Sequence, residues 1–141
     1  MKLLLVDTSV WSLILRRRNP RVNSKREGAA IDHLVHAILM RRAATSPTVA
    51  AELANGASAV LRAHITHALS RFPLLPLSPG AMARAREIQT SCRKRGVQIG
   101  YSDCEILATA EAADALVLSL DKDFEHAERV LGTGLLVILP A

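Results

Sequence analysis

Asp7, Glu52, Asp103 and Asp121 stand at four separated places in the chain, each where an apolar strand-like run or a helix should deliver it to one edge of a sheet. Carboxylates brought together repel, at about 4 kcal/mol per pair near 4 Å with an effective dielectric of 20. A folded cluster of them needs a cation. With no histidine near any of the four acids, the donors are all oxygen, which suits a hard dication. Magnesium fits that description: it prefers octahedral oxygen ligation, keeps several waters and uses few carboxylates.

Each acid also has a plain structural role to weigh against this. Asp7 can cap a helix, a role worth about 1 kcal/mol. Glu52 can be a surface side chain reaching water from near a buried face. Asp103 shares a helical stripe with Ile106, Leu107 and Ala110, where an acid is costly unless paired or metal-bound; its plain role is charge–dipole placement at a helix start. Of Asp121 and Asp123, one should cap the helix that begins near Phe124. The division adopted is Asp121 for the site and Asp123 for the cap, with the reverse as the alternative.

The elements that must position these residues alternate between strand and helix. Leu3–Val6 is a short apolar run of the kind found in strands buried on both faces. Asp7-Thr8-Ser9 opens a helix through Leu15, and Arg21 to Gly28 reads as loop. A helix is expected over Ala29–Met40 with Ile31, Leu34, Val35 and Ile38 on one face. Ala43–Thr45 is a short strand, and Ser46-Pro47 starts a helix that carries Glu52 and stops at Asn55-Gly56. Helices follow over Ser58–Arg71 and from Ser78-Pro79 to Arg95, with Leu74–Leu77 extended between them. Ser102-Asp103-Cys104-Glu105 has the S-x-x-E spacing of a capping box. Leu116–Leu120 and Leu135–Leu139 are the remaining strands, with a short helix from Asp121 between them. This order predicts one α/β domain over residues 1–141 built on a parallel sheet, with ligands beyond the carboxyl ends of its strands. Asp7 and Asp121 should lie there.

Composition narrows the partners. The chain has 141 residues, 50% hydrophobic and 22% charged, which suits a globular domain. Its formal net charge is +5, so polyanions are plausible partners. Aromatic residues are only 3%, too few for the stacking platforms that many single-strand binders use. Cys92 and Cys104 lack metal or redox spacing and read as thiols in a reducing cytoplasm. No apolar run approaches 18 residues, so no membrane span is expected, and Asp7 comes too early for a signal segment. Arg16, Arg17 and Arg18 follow Asp7 closely and are the best candidates for nucleic-acid contact; Arg21, Lys25-Arg26 and Arg41-Arg42 could also line the approach. Arg93-Lys94-Arg95 can be explained as complementing a helix dipole. His33, His36, His64, His67 and His126 form no metal pattern.

Four segments taken in order, Leu-Val-Asp7-Thr-Ser, Ser46-Pro-Thr-Val-Ala-Ala-Glu52-Leu, Tyr101-Ser-Asp103-Cys-Glu-Ile-Leu-Ala-Thr-Ala and Leu118-Ser-Leu-Asp121-Lys-Asp-Phe, resemble a PIN domain. More narrowly they resemble the VapC toxins of VapBC toxin–antitoxin pairs. The resemblance implies a PIN-like three-layer α/β/α sandwich with a central, mostly parallel sheet. It implies an endoribonuclease dependent on Mg2+, with Mn2+ as a substitute, often homodimeric and inhibited by a VapB-like antitoxin in a heterotetramer or larger assembly. By position, Asp7, Glu52, Asp103 and Asp121 match the acidic quartet, and Thr8 or Ser9 and Ser119 match hydroxyl positions around it. Asp7 and Asp103 are then the expected direct ligands, with Glu52 and Asp121 serving a second ion, a bound water or as base. Cys104-Glu105 departs from the small or apolar residues usual after the third acid. A catalytically silent PIN-like RNA- or partner-binding domain is the alternative. A HAD-like phosphohydrolase would need a second Asp where Ser9 stands, and a receiver-like domain would need an acidic pair after the first strand.

Overall fold

The structure is a computed structural model that describes residues 1–16 and 22–141. Its centre is a parallel sheet of three short strands, β1 (Leu4–Val6), β2 (Ala43–Ala44) and β3 (Leu116–Leu118), in the order β2-β1-β3. Leu4 pairs with Ala43 on one side and Leu116 on the other, and Val6 pairs with Leu118. Successive side chains of a strand point to opposite faces, yet Leu4, Leu5 and Val6 are all at most 2% exposed. Both faces of the sheet are therefore covered, as the expected three-layer α/β/α arrangement requires.

Two isolated parallel bridges widen the sheet. Thr45 pairs with Leu74 beyond β2, and Val117 with Leu136 beyond β3. The segment expected as a last strand over Leu135–Leu139 thus reaches the sheet through a single bridge, held by bonds from Val117 N to Leu135 O and from Val137 N to Val117 O. Gly134, at φ +70°, precedes it in the left-handed conformation that glycine tolerates.

Seven helices are found among the described residues: α1 (Thr8–Leu15), α2 (Lys25–Leu39), α3 (Pro47–Ala54), α4 (Ala59–Leu69), α5 (Pro79–Lys94), α6 (Tyr101–Ala112) and α7 (Lys122–Leu131). Caps explain most starts. Ser24, Ser46, Ser58 and Ser78 each accept a hydrogen bond from the backbone N–H three residues on. Proline stands at the first position of α3 and α5. None of these helices is long and apolar enough to cross a membrane.

Three sequence expectations change. The stretch read as loop up to Gly28 is helical from Lys25, because Ser24 caps Glu27 N. The buried face of α2 is Ala30, Leu34 and Ala37, while Val35 is 49% exposed and Ile38 36%. Small alanines allow a close approach to the core that larger side chains on that face would prevent. The predicted capping box at Ser102 does not form: α6 starts two residues earlier, at Tyr101 after Gly100, with no side-chain cap. Ser102 and Glu105 turn instead towards Glu52 and Thr48.

Candidate active site

The site lies at the carboxyl edge of the sheet, where the order reverses between β1 and its two neighbours. Such switch points open a crevice beyond the strand ends. Asp7 leaves β1 there, its N–H bonded to Leu118 O of β3, and Ser119 follows β3 directly. Asp7 is 4% exposed and caps α1. Its Oδ2 accepts from Ser9 Oγ at 2.8 Å, Ser119 Oγ at 2.8 Å and Ser9 N at 3.4 Å. These donors all fall on one oxygen, leaving Oδ1 available to a cation. The two hydroxyls are themselves fixed, Ser9 Oγ accepting from Leu120 N and Ser119 Oγ from Asp121 N, both at 3.0 Å.

Glu52 comes to the same crevice from α3. Its Oε1 accepts from Thr8 Oγ1 at 3.1 Å and its Oε2 from Ser102 Oγ at 3.5 Å. Burial raises its pKa above the usual carboxylate range, and the charge of Asp7 adds to the rise. Asp103, in the first turn of α6, is pushed up to about 7 by burial first and then by the charges of Asp7, Asp121, Glu52 and Asp123. All four other acids therefore act on Asp103. The four expected acids are thus near enough to act on one another, and Asp123 joins them, but Asp7 and Glu52 fall outside the group whose oxygens come within 4.8 Å of each other.

Asp103, Asp121 and Asp123 can each offer one oxygen within 4.8 Å of the others. Asp121 and not Asp123 caps α7, its Oδ1 accepting from Asp123 N at 2.9 Å. The two roles divided between them in the sequence reading thus fall differently: Asp121 both caps and faces the site, and Asp123 joins it without capping. The Asp-x-Asp spacing at a helix start was the available signal, because residues at N-cap and N2 can flank the same crevice.

No Lys or Arg among the described residues pairs with any of these five acids. The cluster is an uncompensated negative centre of carboxylate and hydroxyl oxygens. That donor set fits a hard divalent cation.

Three of the arginines expected to approach RNA, Arg16, Arg26 and Arg42, are otherwise employed, while Arg41 has no side-chain partner among the described residues. Arg16 Nη1 donates to Leu53 O and Asn55 O, each at 3.1 Å, and so closes the end of α3 just beyond Glu52. Arg17, Arg18 and Arg21 lie outside the described residues. Arg26 pairs with Glu125 at 2.9 Å and donates to Leu120 O and Pro140 O. Arg42 donates to Lys2 O, at the end of β1 opposite Asp7. Cys92 and Cys104 are buried free thiols, and all five histidines are exposed.

The chain matches the PIN domain family over residues 4–130. No curated protein matches it. Among solved structures it is similar to VapBC2 from Rickettsia felis bound to a promoter DNA fragment, at 18% identity and TM-score 0.70, covering 98% of this chain and 99% of that one. It is similar to FitAcB from Neisseria gonorrhoeae, at 22% identity and TM-score 0.68, over 89% and 94% of the two chains. It is also similar to Mycobacterium tuberculosis VapC20, described as a sarcin-ricin loop cleaving toxin, at 17% identity and TM-score 0.67, over 97% and 99%. With the family match spanning the strands and helices that carry all five acids, the chain belongs to the PIN domain family.

Proposed function

We propose that this protein is a divalent-metal-dependent endoribonuclease and the toxin of a type II toxin–antitoxin pair, held in check by a VapB-like antitoxin. The reading treats residues 1–141 as one cytoplasmic nuclease domain acting as a homodimer. The observation that carries it is the meeting of Asp103, Asp121 and Asp123 with oxygens within 4.8 Å of one another, beside Asp7 and Glu52, whose charges help push Asp103 up to about 7. Ordinary stability does not favour such a cluster. The similarity to FitAcB, VapBC2 and VapC20 supports the toxin part of the reading.

Asp103, Asp121 and Asp123 would hold Mg2+, or Mn2+ in its place, with Asp7 Oδ1 as the further ligand that the sequence led us to expect. When bound, the ion supplies Lewis-acid activation of water and neutralises charge on the phosphoryl and leaving oxygens. The protein's own part is positioning. Ser9 and Ser119 lock the Asp7 carboxylate in one orientation through Oδ2, as groups behind a metal ligand do. Thr8 fixes Glu52 through Oε1, while Ser102 at 3.5 Å holds Oε2 only loosely. With its pKa raised by burial, Glu52 Oε2 is suited to take the proton of the attacking water.

The test is cleavage of total RNA with Mg2+ and with EDTA, by wild type, Asp7→Ala and Asp103→Ala, with folding followed by circular dichroism. We expect metal-dependent cleavage by wild type and a loss of at least about a hundredfold in each variant, the scale of removing one preorganised electrostatic group. Equal cleavage by folded variants would remove these residues from catalysis.

A further inference from the structure

A groove of about 480 Å³ runs from the acidic crevice along the end of α5 and is lined by Gln89, Arg93, Val97, Gln98, Ile99, Gly100 and Asp123. Its volume falls in the range of ligand sites, about 300–1,000 Å³. Asp123 belongs to both the groove and the carboxylate cluster, so the groove opens directly onto the place where a phosphodiester would be cut.

The lining has the chemistry of a nucleotide site. Arg93 has no carboxylate or carbonyl partner for its guanidinium among the described residues. Arg16, Arg26, Arg42, Arg62 and Arg84 each spend theirs on a backbone carbonyl or an acid; of the arginines left without such a partner, Arg93 is the one that lines the groove. A free cation beside an uncompensated negative crevice is what a polyanionic strand needs at its approach. Gln89 Nε2 donates to Ile99 O at 3.3 Å, which anchors the amide and leaves its Oε1 as an acceptor. Gln98 is exposed and makes no side-chain hydrogen bond among the described residues. Two amides and a guanidinium against an apolar wall of Val97 and Ile99 can receive a base edge and a phosphate together.

We infer that this groove binds the unpaired RNA nucleotide next to the scissile phosphate, with Arg93 on the flanking phosphate and Gln98 on the base edge. The inference rests on the nuclease reading for the position of the cut, but not for RNA binding itself. Arg93, explicable in the sequence as a helix-dipole partner, thereby becomes a substrate-binding residue.

Two measurements on the full-length protein test it. The first is anisotropy binding of a fluorescein-labelled single-stranded RNA of mixed sequence, in Ca2+, over a salt series. Arg93→Ala should weaken binding about tenfold and flatten the salt slope by about one. Arg86→Ala, which removes the same charge from an exposed position of α5 outside the groove, should change neither. The second is cleavage of the same RNA in Mg2+ with the ends mapped. Arg93→Ala should lower kcat/KM about tenfold, the loss carried by KM, and Gln98→Ala should relax the preference at the nucleotide beside the cut. If Arg93→Ala and Arg86→Ala behave alike, or if wild type binds no RNA, the groove assignment is overturned. Unchanged end preferences in Gln98→Ala remove that amide from the site. Binding that depends on Arg93 without any cleavage would support the groove while refuting the nuclease reading.

Discussion

Asp103 shows in one side chain how function strains stability here. It titrates near 7 in the fold, because burial and four neighbouring acids disfavour its charge, against 3.8 for an unhindered aspartate. Across that window the folded state binds more protons than the unfolded one. Stability of the cation-free protein therefore falls as pH rises from about 4 to about 7, by about 1–3 kcal/mol after allowing for solvent screening of a half-buried group. Glu52, also raised, acts in the same direction. Urea denaturation in EDTA at pH 5 and pH 7.5 should show the loss for wild type and a much smaller one for Asp103→Asn. That variant should be the more stable protein at pH 7.5 and the inactive one, a trade-off typical of active sites. A flat pH profile for wild type would mean that Asp103 ionises freely.

At the scale of elements, short helices with defined ends hold the acids in place. Glu52 lies in the last turn of α3, a helix of 8 residues, so its direction depends on how that helix stops. Gly56, at φ +73°, turns the chain away, and Arg16 reaches across from the end of α1 to the carbonyls of Leu53 and Asn55. A charged donor at a helix C-terminus stabilises it by about 1 kcal/mol. Arg16→Ala should lower stability by about that amount and reduce cleavage through kcat, with the salt slope of RNA binding unchanged. A slope flattened by about one would instead return Arg16 to the RNA-contacting role expected from sequence. The same logic applies to Asp121, which caps α7 through Oδ1 and so leaves Oδ2 for the ligand role proposed above.

At the scale of the whole molecule, the metal binding proposed above and folding would be one equilibrium. The carboxylates are assembled only in the native fold, so a cation that binds them there stabilises the protein by RT ln(1 + [L]/Kd). For a dissociation constant of about 1 mM, Mg2+ at about 10 mM adds roughly 1.4 kcal/mol, a rise in Tm of about 3–5 °C for a domain of this size. Differential scanning calorimetry in Mg2+ and in EDTA should show that rise for wild type, larger at pH 8 than at pH 6, because protonated Asp103 must lose its proton to ligate. Asp103→Asn should lose most of it. An equal rise in both proteins would place the ion elsewhere.

Much of this molecule was written in local sequence. Leu4-Leu5-Val6, the Ser-Pro starts of α3 and α5 and the glycine stops at Gly56 and Gly96 depend on residues a few positions apart, and the structure bears them out. The order Asp7, Glu52, Asp103, Asp121 on alternating strands and helices was enough to place all four at one sheet edge. Other features depend on partners distant in the chain. Ser102 left its expected capping box for Glu52, fifty residues away. Arg16 found the end of α3, and Asp123 joined the acids because the turn after β3 aims two aspartates into one crevice. The place of Arg93 on one groove with Asp123 likewise exists only in the fold. Residue type and spacing determined which groups could do chemistry; which of them met, and which were left unpaired, followed from long-range packing that no local pattern encodes.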